Sequence, residues 1–182
     1  MTKFSVVYDA FFEKVTDDMF YELTELDTFR MLQDLLLSAI PKFEFPKVNL
    51  TEYEYGDVIE ETVYCGVESD YKEVTAVLYD SGYFYSDLSY EEVNILAVYM
   101  AVEWLGLQLA TIENTRQKYT GSDFQMSSQA NHMEKLLKIK MDYEREGFHL
   151  QRLYGRRRID KKGRTRSSFD IIMKDPKGGH KW

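Results

Sequence analysis

Apolar residues recur at helical spacing near the start of the chain. Val7, Phe11, Phe12 and Val15 fall at i, i+4, i+5 and i+8, leaving Asp9, Glu13 and Lys14 mostly to solvent. The pattern predicts an amphipathic first helix, interrupted by Thr16, Asp17 and Asp18. A second helix is predicted to start near Thr24, with Asp27 three residues on to complete the cap. It runs through FRMLQDLLLSAI until Pro41 stops it, with Phe29, Leu32, Leu36 and Ile40 as its apolar face.

From Pro41 to Leu88 the helical period is lost. The segment is rich in Tyr, Val and Thr and punctuated by Gly56, Gly66 and Gly82. Within it ETVYCGV and EVTAVLY alternate, which predicts two short strands, either a hairpin or a loop that wraps a neighbour.

The clearest element follows. Ser89 to Glu92 has the capping-box pattern, and the residues after it sustain a helix to about Arg116, roughly 40 Å long at 1.5 Å per residue. One apolar stripe is Val93, Leu96, Met100, Trp104 and Leu107; a second is Ile95, Val98, Val102, Leu105, Leu109 and Ile112. A helix apolar on nearly every side must be covered on every side, by its own domain or by neighbouring subunits. Leu96, Met100, Trp104 and Leu107 are the expected structural core.

KYTGSDF breaks the pattern at Gly121. Ser127 or Ser128 is predicted to cap a last helix running to Glu146, with Ala130, Met133, Leu137 and Met141 facing inward. Past Gly147 the sequence turns basic, with Phe169, Ile171, Ile172, Met173 and Trp182 as its late apolar residues, and is expected to be an extended arm without a fold of its own. The predicted fold class is mainly α: a helical bundle with a long central helix, a small β-hairpin or loop insertion at 41–88, and an extended C-terminal arm. The domain is 1–146 and the arm 147–182.

Composition sharpens this picture. At 182 residues, 44% hydrophobic and 30% charged, the chain has the make-up of one globular domain with appendages. Its 14 Tyr and 11 Phe exceed what one small core buries, which points to interfaces. Cys65 is the single cysteine, so no intrachain disulfide forms. The N-terminal apolar stretch carries Asp9 and Glu13, and the run NILAVYMAVEWLGLQLATI is broken by Glu103 and Gln108; neither a signal peptide nor a membrane span is expected.

The formal charge of -8 is divided unevenly. Residues 1–119 hold 8 Lys+Arg and 23 Asp+Glu, net -15, while residues 120–182 hold 15 and 8, net +7. Such a dipolar chain can bind its own kind head to tail. The basic residues concentrate in RLYGRRRIDKKGRTR: Arg152, Arg156, Arg157, Arg158, Lys161, Lys162, Arg164 and Arg166 surround one acid, Asp160.

Catalytic chemistry finds little footing. There is no Gly-rich phosphate loop and no dinucleotide fingerprint after a strand. His132, His149 and His180 are scattered, without metal-ligand spacing to Cys65. Asp123, Ser127, Ser128 and His132 are neighbours in sequence, but a cap serine and an exposed helix histidine explain them. Glu60 with Glu61 and Glu91 with Glu92 are adjacent pairs on a solvated surface. No catalytic, cofactor-binding or metal residue is therefore expected, and no enzyme.

The basic arm has three readings: a solvated tail, a contact to nucleic-acid phosphates, or docking on an acidic protein surface. Its cations would hold phosphates at low salt. But only Tyr154 offers a stacking platform among them, and the acidic body repels a polyanion. Phe169, Ile171 and Ile172 beyond the basic run call for a protein groove, since apolar anchors need a pocket. Docking is the favoured reading.

A resemblance adds to this. DLxxEE at Asp87 to Glu92, MxxEW at Met100 to Trp104, DF at Asp123 and Phe124, SxANH at Ser128 to His132 and YDxFxxKVxD at Tyr8 to Asp17 together resemble the head-to-tail connector (neck) adaptors of tailed bacteriophages. The resemblance covers about residues 5–146; residues 45–88 are longer than the family's usual connection, and the basic tail has no counterpart in it. It implies a structural virion protein: a helical subunit of a homo-oligomeric ring, typically of twelve, beneath the portal protein. Such a ring extends the DNA channel without sequence-specific DNA binding and receives the tail or a stopper protein. It implies no catalytic residues, no cofactor and no membrane partner, and places the chain in the virion neck, assembled in the host cytoplasm. The competing class is a soluble nucleic-acid-binding or regulatory module that uses the arm on phosphates.

Overall fold

A computed structural model describes residues 1–65, 72–118, 126–159 and 165–167 of the chain. These are mainly helical, with small antiparallel β elements. The first helix, α1 (Phe4–Phe12), buries Phe4, Val7, Tyr8 and Phe11. Phe12 sits at the edge and not in the core. A four-residue helix, α2 (Met19–Glu22), follows the acidic interruption and lays Phe20 on Trp104, ring centroids 4.7 Å apart.

Thr24 caps α3 (Glu25–Ala39): its hydroxyl oxygen accepts from the Asp27 amide at 3.1 Å and donates to the Asp27 carboxylate at 2.7 Å. Pro41, inside a short 3₁₀ turn (Ile40–Lys42), ends it. The buried face of α3 is Leu32, Leu35, Leu36 and Ala39, while Phe29 and Ile40 are half-buried at its margins.

The axis is α4 (Tyr90–Lys118), against which α1, α3 and α5 (Met126–Arg156) all pack. Its start is a complete capping box. Both the Ser89 amide and the Ser89 hydroxyl donate to the Glu92 carboxylate at 2.7 Å, and the Glu92 amide donates back to Ser89 Oγ at 3.4 Å. Every apolar residue from Val93 to Val102 is buried, as a helix apolar all round requires. By length and composition Tyr90–Asn114 could cross a membrane, but 56% of its apolar window is buried inside this fold.

The 41–88 region contributes to two β units, one of which also takes in the N-terminus. β1 (Thr2–Lys3), β5 (Gly82–Phe84) and β2 (Tyr53–Tyr55) form an antiparallel sheet in that order, and Phe84 packs on Phe4 at 4.6 Å. β3 (Val58–Cys65) and β4 (Lys72–Tyr79) form the hairpin predicted from alternation, in register from Val58 opposite Tyr79 to Cys65 opposite Lys72. A last, short pair joins β6 (Arg157–Ile159) to β7 (Thr165–Ser167).

Three expectations are corrected. Leu107, placed in the core by its stripe, is 50% exposed, because it lies a turn beyond Trp104 where α4 has outrun its cover and opens onto a depression beside α3. Leu96, Met100 and Trp104 are buried. The last helix does not stop at Glu146 but continues to Arg156. Gly147 is no breaker here: it is buried against the Tyr99 ring, and a Cβ at this position would stand 2.9 Å from Tyr99 Cζ. The helix is also described from Met126 onward, so Ser127 and Ser128 fall in its first turn and do not cap it.

The third correction is the face that α5 buries. Leu137 and Met141, expected inward, are 49% and 51% exposed, while Tyr143, Gly147, Leu150, Gln151 and Tyr154 turn toward the core. Polar contacts near the helix's C-terminal end lie on this same face.

Candidate functional site

Those polar contacts tie α5 to the rest of the fold. Gln151, buried, accepts from the Glu44 amide at 2.9 Å and donates to the Lys42 carbonyl at 2.9 Å and to the Tyr99 hydroxyl. Three residues on, the Tyr154 hydroxyl donates to the buried Glu92 carboxylate and accepts from the Lys47 amide at 3.1 Å. Burial first, and the bond to Glu92 second, push the Tyr154 phenol above its ordinary value, so it stays protonated and donates. Lys47 Nζ completes the contact, 4.1 Å above the Tyr154 ring and 2.6 Å from the Arg157 carbonyl. Glu92 thus serves both the helix cap and the helix–helix joint. Tyr154→Phe is expected to cost about 1–3 kcal/mol, because it strips partners from a buried carboxylate and a backbone amide; chemical denaturation would read it directly.

This network shows where the basic residues begin to leave the body. Arg152 is exposed on α5 with its guanidinium 5.7 Å from the Phe148 ring centroid, and Arg156 is the helix's last residue. Arg157 pairs with Glu91 at the start of α4. Arg158 and Arg166 are opposite each other in the β6–β7 register. Lys161, Lys162, Arg164, Phe169, Ile171 and Ile172 lie outside the described residues.

Among the described residues, two uncovered apolar surfaces bear on function. One is a stripe on α5: Leu137, Met141 and Phe148 recur at i, i+4 and i+11, each about half exposed, one residue out of phase with the core-facing side. Leu107 on α4 and Ile139 on the other flank of α5 are exposed to a similar degree. The other is a cleft of about 740 Å³ between the end of α1, α2 and the start of α3. Phe12, Phe20, Leu23 and Phe29 line it, and its charged lining residues, Asp17, Asp18 and Glu25, are all acids. The acidic interruption seen in the sequence is therefore the rim of a groove, a role that periodicity alone does not show.

Among the described residues no group of three or more His, Cys, Asp or Glu side chains is placed to hold a metal ion. His132 and His149 are exposed, and Asp123 lies outside the described residues. No family model, no curated protein and no solved structure matches the chain.

Proposed function

We propose that the protein is a head-to-tail connector adaptor of a tailed bacteriophage, a subunit of a ring seated beneath the portal protein that extends the DNA channel and receives the tail or a stopper. The observation that carries this reading is the pair of long helices α4 and α5. Their outer surfaces keep Leu107, Leu137, Met141 and Phe148 half exposed in the single chain. Large apolar side chains left half exposed on two long helices, beside an otherwise well-packed core, are what lateral neighbours in a ring would cover. The acidic body adds to it, since a channel lined by acids gives DNA phosphates no ion-pair partners and lets the duplex slide.

Free subunits carrying -8 each repel one another, so the chain alone is expected to be monomeric or weakly associated, and the portal to template the ring. Negative-stain microscopy of the purified protein, alone and mixed with portal, tests this. Rings that appear only with portal carry the reading. If no density is added to portal, and DNA binding instead falls steeply with salt and vanishes when residues 152–166 lose their charge, the adaptor reading fails and the nucleic-acid-binding module takes its place.

A further inference from the structure

We propose that the acid-rimmed cleft between α1, α2 and α3 receives the C-terminal segment of a second copy of this chain, with Phe169, Ile171 and Ile172 seated among its aromatic side chains. This deepens the ring-subunit reading above and rests on it for the head-to-tail order of the copies.

The cleft and the segment are chemical complements. At about 740 Å³ the cleft falls within the ordinary ~300–1,000 Å³ span of ligand pockets, and its floor is aromatic and aliphatic. The segment presents Phe169, Ile171, Ile172 and Met173 around a single acid, Asp170, with Arg164 and Arg166 before them and Lys174, Lys177 and Lys181 outnumbering Asp175 after them. Asp18 and Glu25 are exposed at the rim; Asp17 is partly engaged, accepting from the Met19 amide at 3.0 Å and from Gln108 at 3.2 Å. An apolar centre with basic flanks therefore meets an apolar floor with an acidic edge.

Geometry makes the occupant a neighbour. Ser167 is paired with Arg157, and Arg157 is anchored to Glu91 at the first turn of α4. The cleft lies farther along α4, at its middle, where Phe20 stacks on Trp104 and Asp17 meets Gln108. Glu91 to Trp104 is about 20 Å along the helix axis, and Glu91 to Gln108 about 26 Å. Two residues past Ser167, Phe169 reaches only about 7 Å further even when fully extended. That step is short of the axial separation, which makes a neighbouring copy's segment the better-placed occupant. A tail leaving beside the start of α4 and a socket beside its middle are different surfaces, so their meeting is a heterologous contact, the kind that closes into rings.

A labelled peptide of residues 160–182, titrated onto the full chain, tests the fit. The wild-type peptide is expected to bind at least tenfold more tightly than one carrying Phe169→Ser, Ile171→Ser and Ile172→Ser. Asp18→Lys with Glu25→Lys in the protein, both at exposed positions, should weaken binding about threefold at low salt and have no effect at high salt. Equal binding of the two peptides, or indifference to the rim substitutions, overturns the proposal. Direction is read by disulfide trapping in a Cys65→Ser background, with Tyr21→Cys on one tagged copy and Ile171→Cys on another. A bond between the two tags supports docking in trans. No bond between them, or a faster bond when both cysteines share one chain, overturns it. A cleft protected by portal but not by the peptide overturns the choice of occupant. Portal-bound rings that form without peptide binding sink the docking and leave the adaptor reading standing, whereas peptide docking without rings on portal does the reverse.

Discussion

Trp104→Ala is expected to lower the free energy of unfolding by about 3–5 kcal/mol, the largest effect of any single substitution considered. Trp104 is buried at the point where α4 meets α2, and its ring stacks on Phe20 at 4.7 Å. Removing the indole deletes the transfer free energy of a large side chain and leaves a hole that the surrounding helices fill only in part. Phe20 also makes T-shaped contacts with Phe11 and Phe12, so the vacancy spreads through a four-ring cluster and does not stay at one site. Urea unfolding followed by far-UV circular dichroism gives the number. A loss below about 1 kcal/mol would mean that α4 is not the axis of the core.

Where the chain can be cut is the second large effect. Ending it at Glu146 is expected to abolish cooperative unfolding, while ending it at Ile159 should leave a folded domain. The first truncation removes Gln151 and Tyr154 together. It strips hydrogen-bond partners from the Lys42 carbonyl, the Glu44 and Lys47 amides, the Tyr99 hydroxyl and the Glu92 carboxylate. It also uncovers Phe43, whose ring packs on Tyr154 at 5.5 Å. The loss of these hydrogen bonds, at about 0.5–1.5 kcal/mol each, adds to the loss of Leu150 and Tyr154 from the packed core, and together they take a large share of the 5–15 kcal/mol that holds a typical domain together. The second truncation keeps every one of these contacts and the Arg157 pair with Glu91. Thermal melts of the two proteins decide it, and a sharp transition in the shorter one would show that the α5 contacts are dispensable.

The contrast between these truncations marks how far the sequence could be read. Local chemistry was legible: Thr24 with Asp27, Ser89 with Glu92 and Pro41 act over three or four residues, and each does in the fold what its spacing predicts. So was α4 as a long helix, because a capping box followed by a continuous apolar run fixes the element, although not what covers it. Gly147 misled because a glycine that ends a helix and a glycine that lets a ring approach look alike in sequence; only Tyr99, 48 positions away, tells them apart. Gln151 and Tyr154 stayed hidden for the same reason. Their partners lie 52 to 109 positions away, at Tyr99, Glu92 and in the 42–47 segment, and polar side chains leave no period. The β1–β5–β2 sheet joins Thr2 to Phe84, a pairing that no local pattern announces. The cleft could not be seen at all, since its walls come from three helices and its acidic rim looks like an ordinary interruption between two of them.

The β3–β4 hairpin has an evolutionary and practical consequence. It leaves the body directly after β2 and returns directly before β5, and those two strands pair with each other, Tyr55 opposite Gly82. The Asp80 amide donates to the Asp57 carbonyl at 3.0 Å, so the chain enters and leaves the hairpin through one doorway. Because closing a longer loop costs only about 0.6 kcal/mol per doubling of its length, the 58–79 segment can grow, shrink or be exchanged without moving a residue of the helical core. Lineages that share this core are therefore free to differ in reach at that point, and a reporter peptide or affinity tag spliced between Asp57 and Asp80 would be carried outside the packed helices and leave them intact.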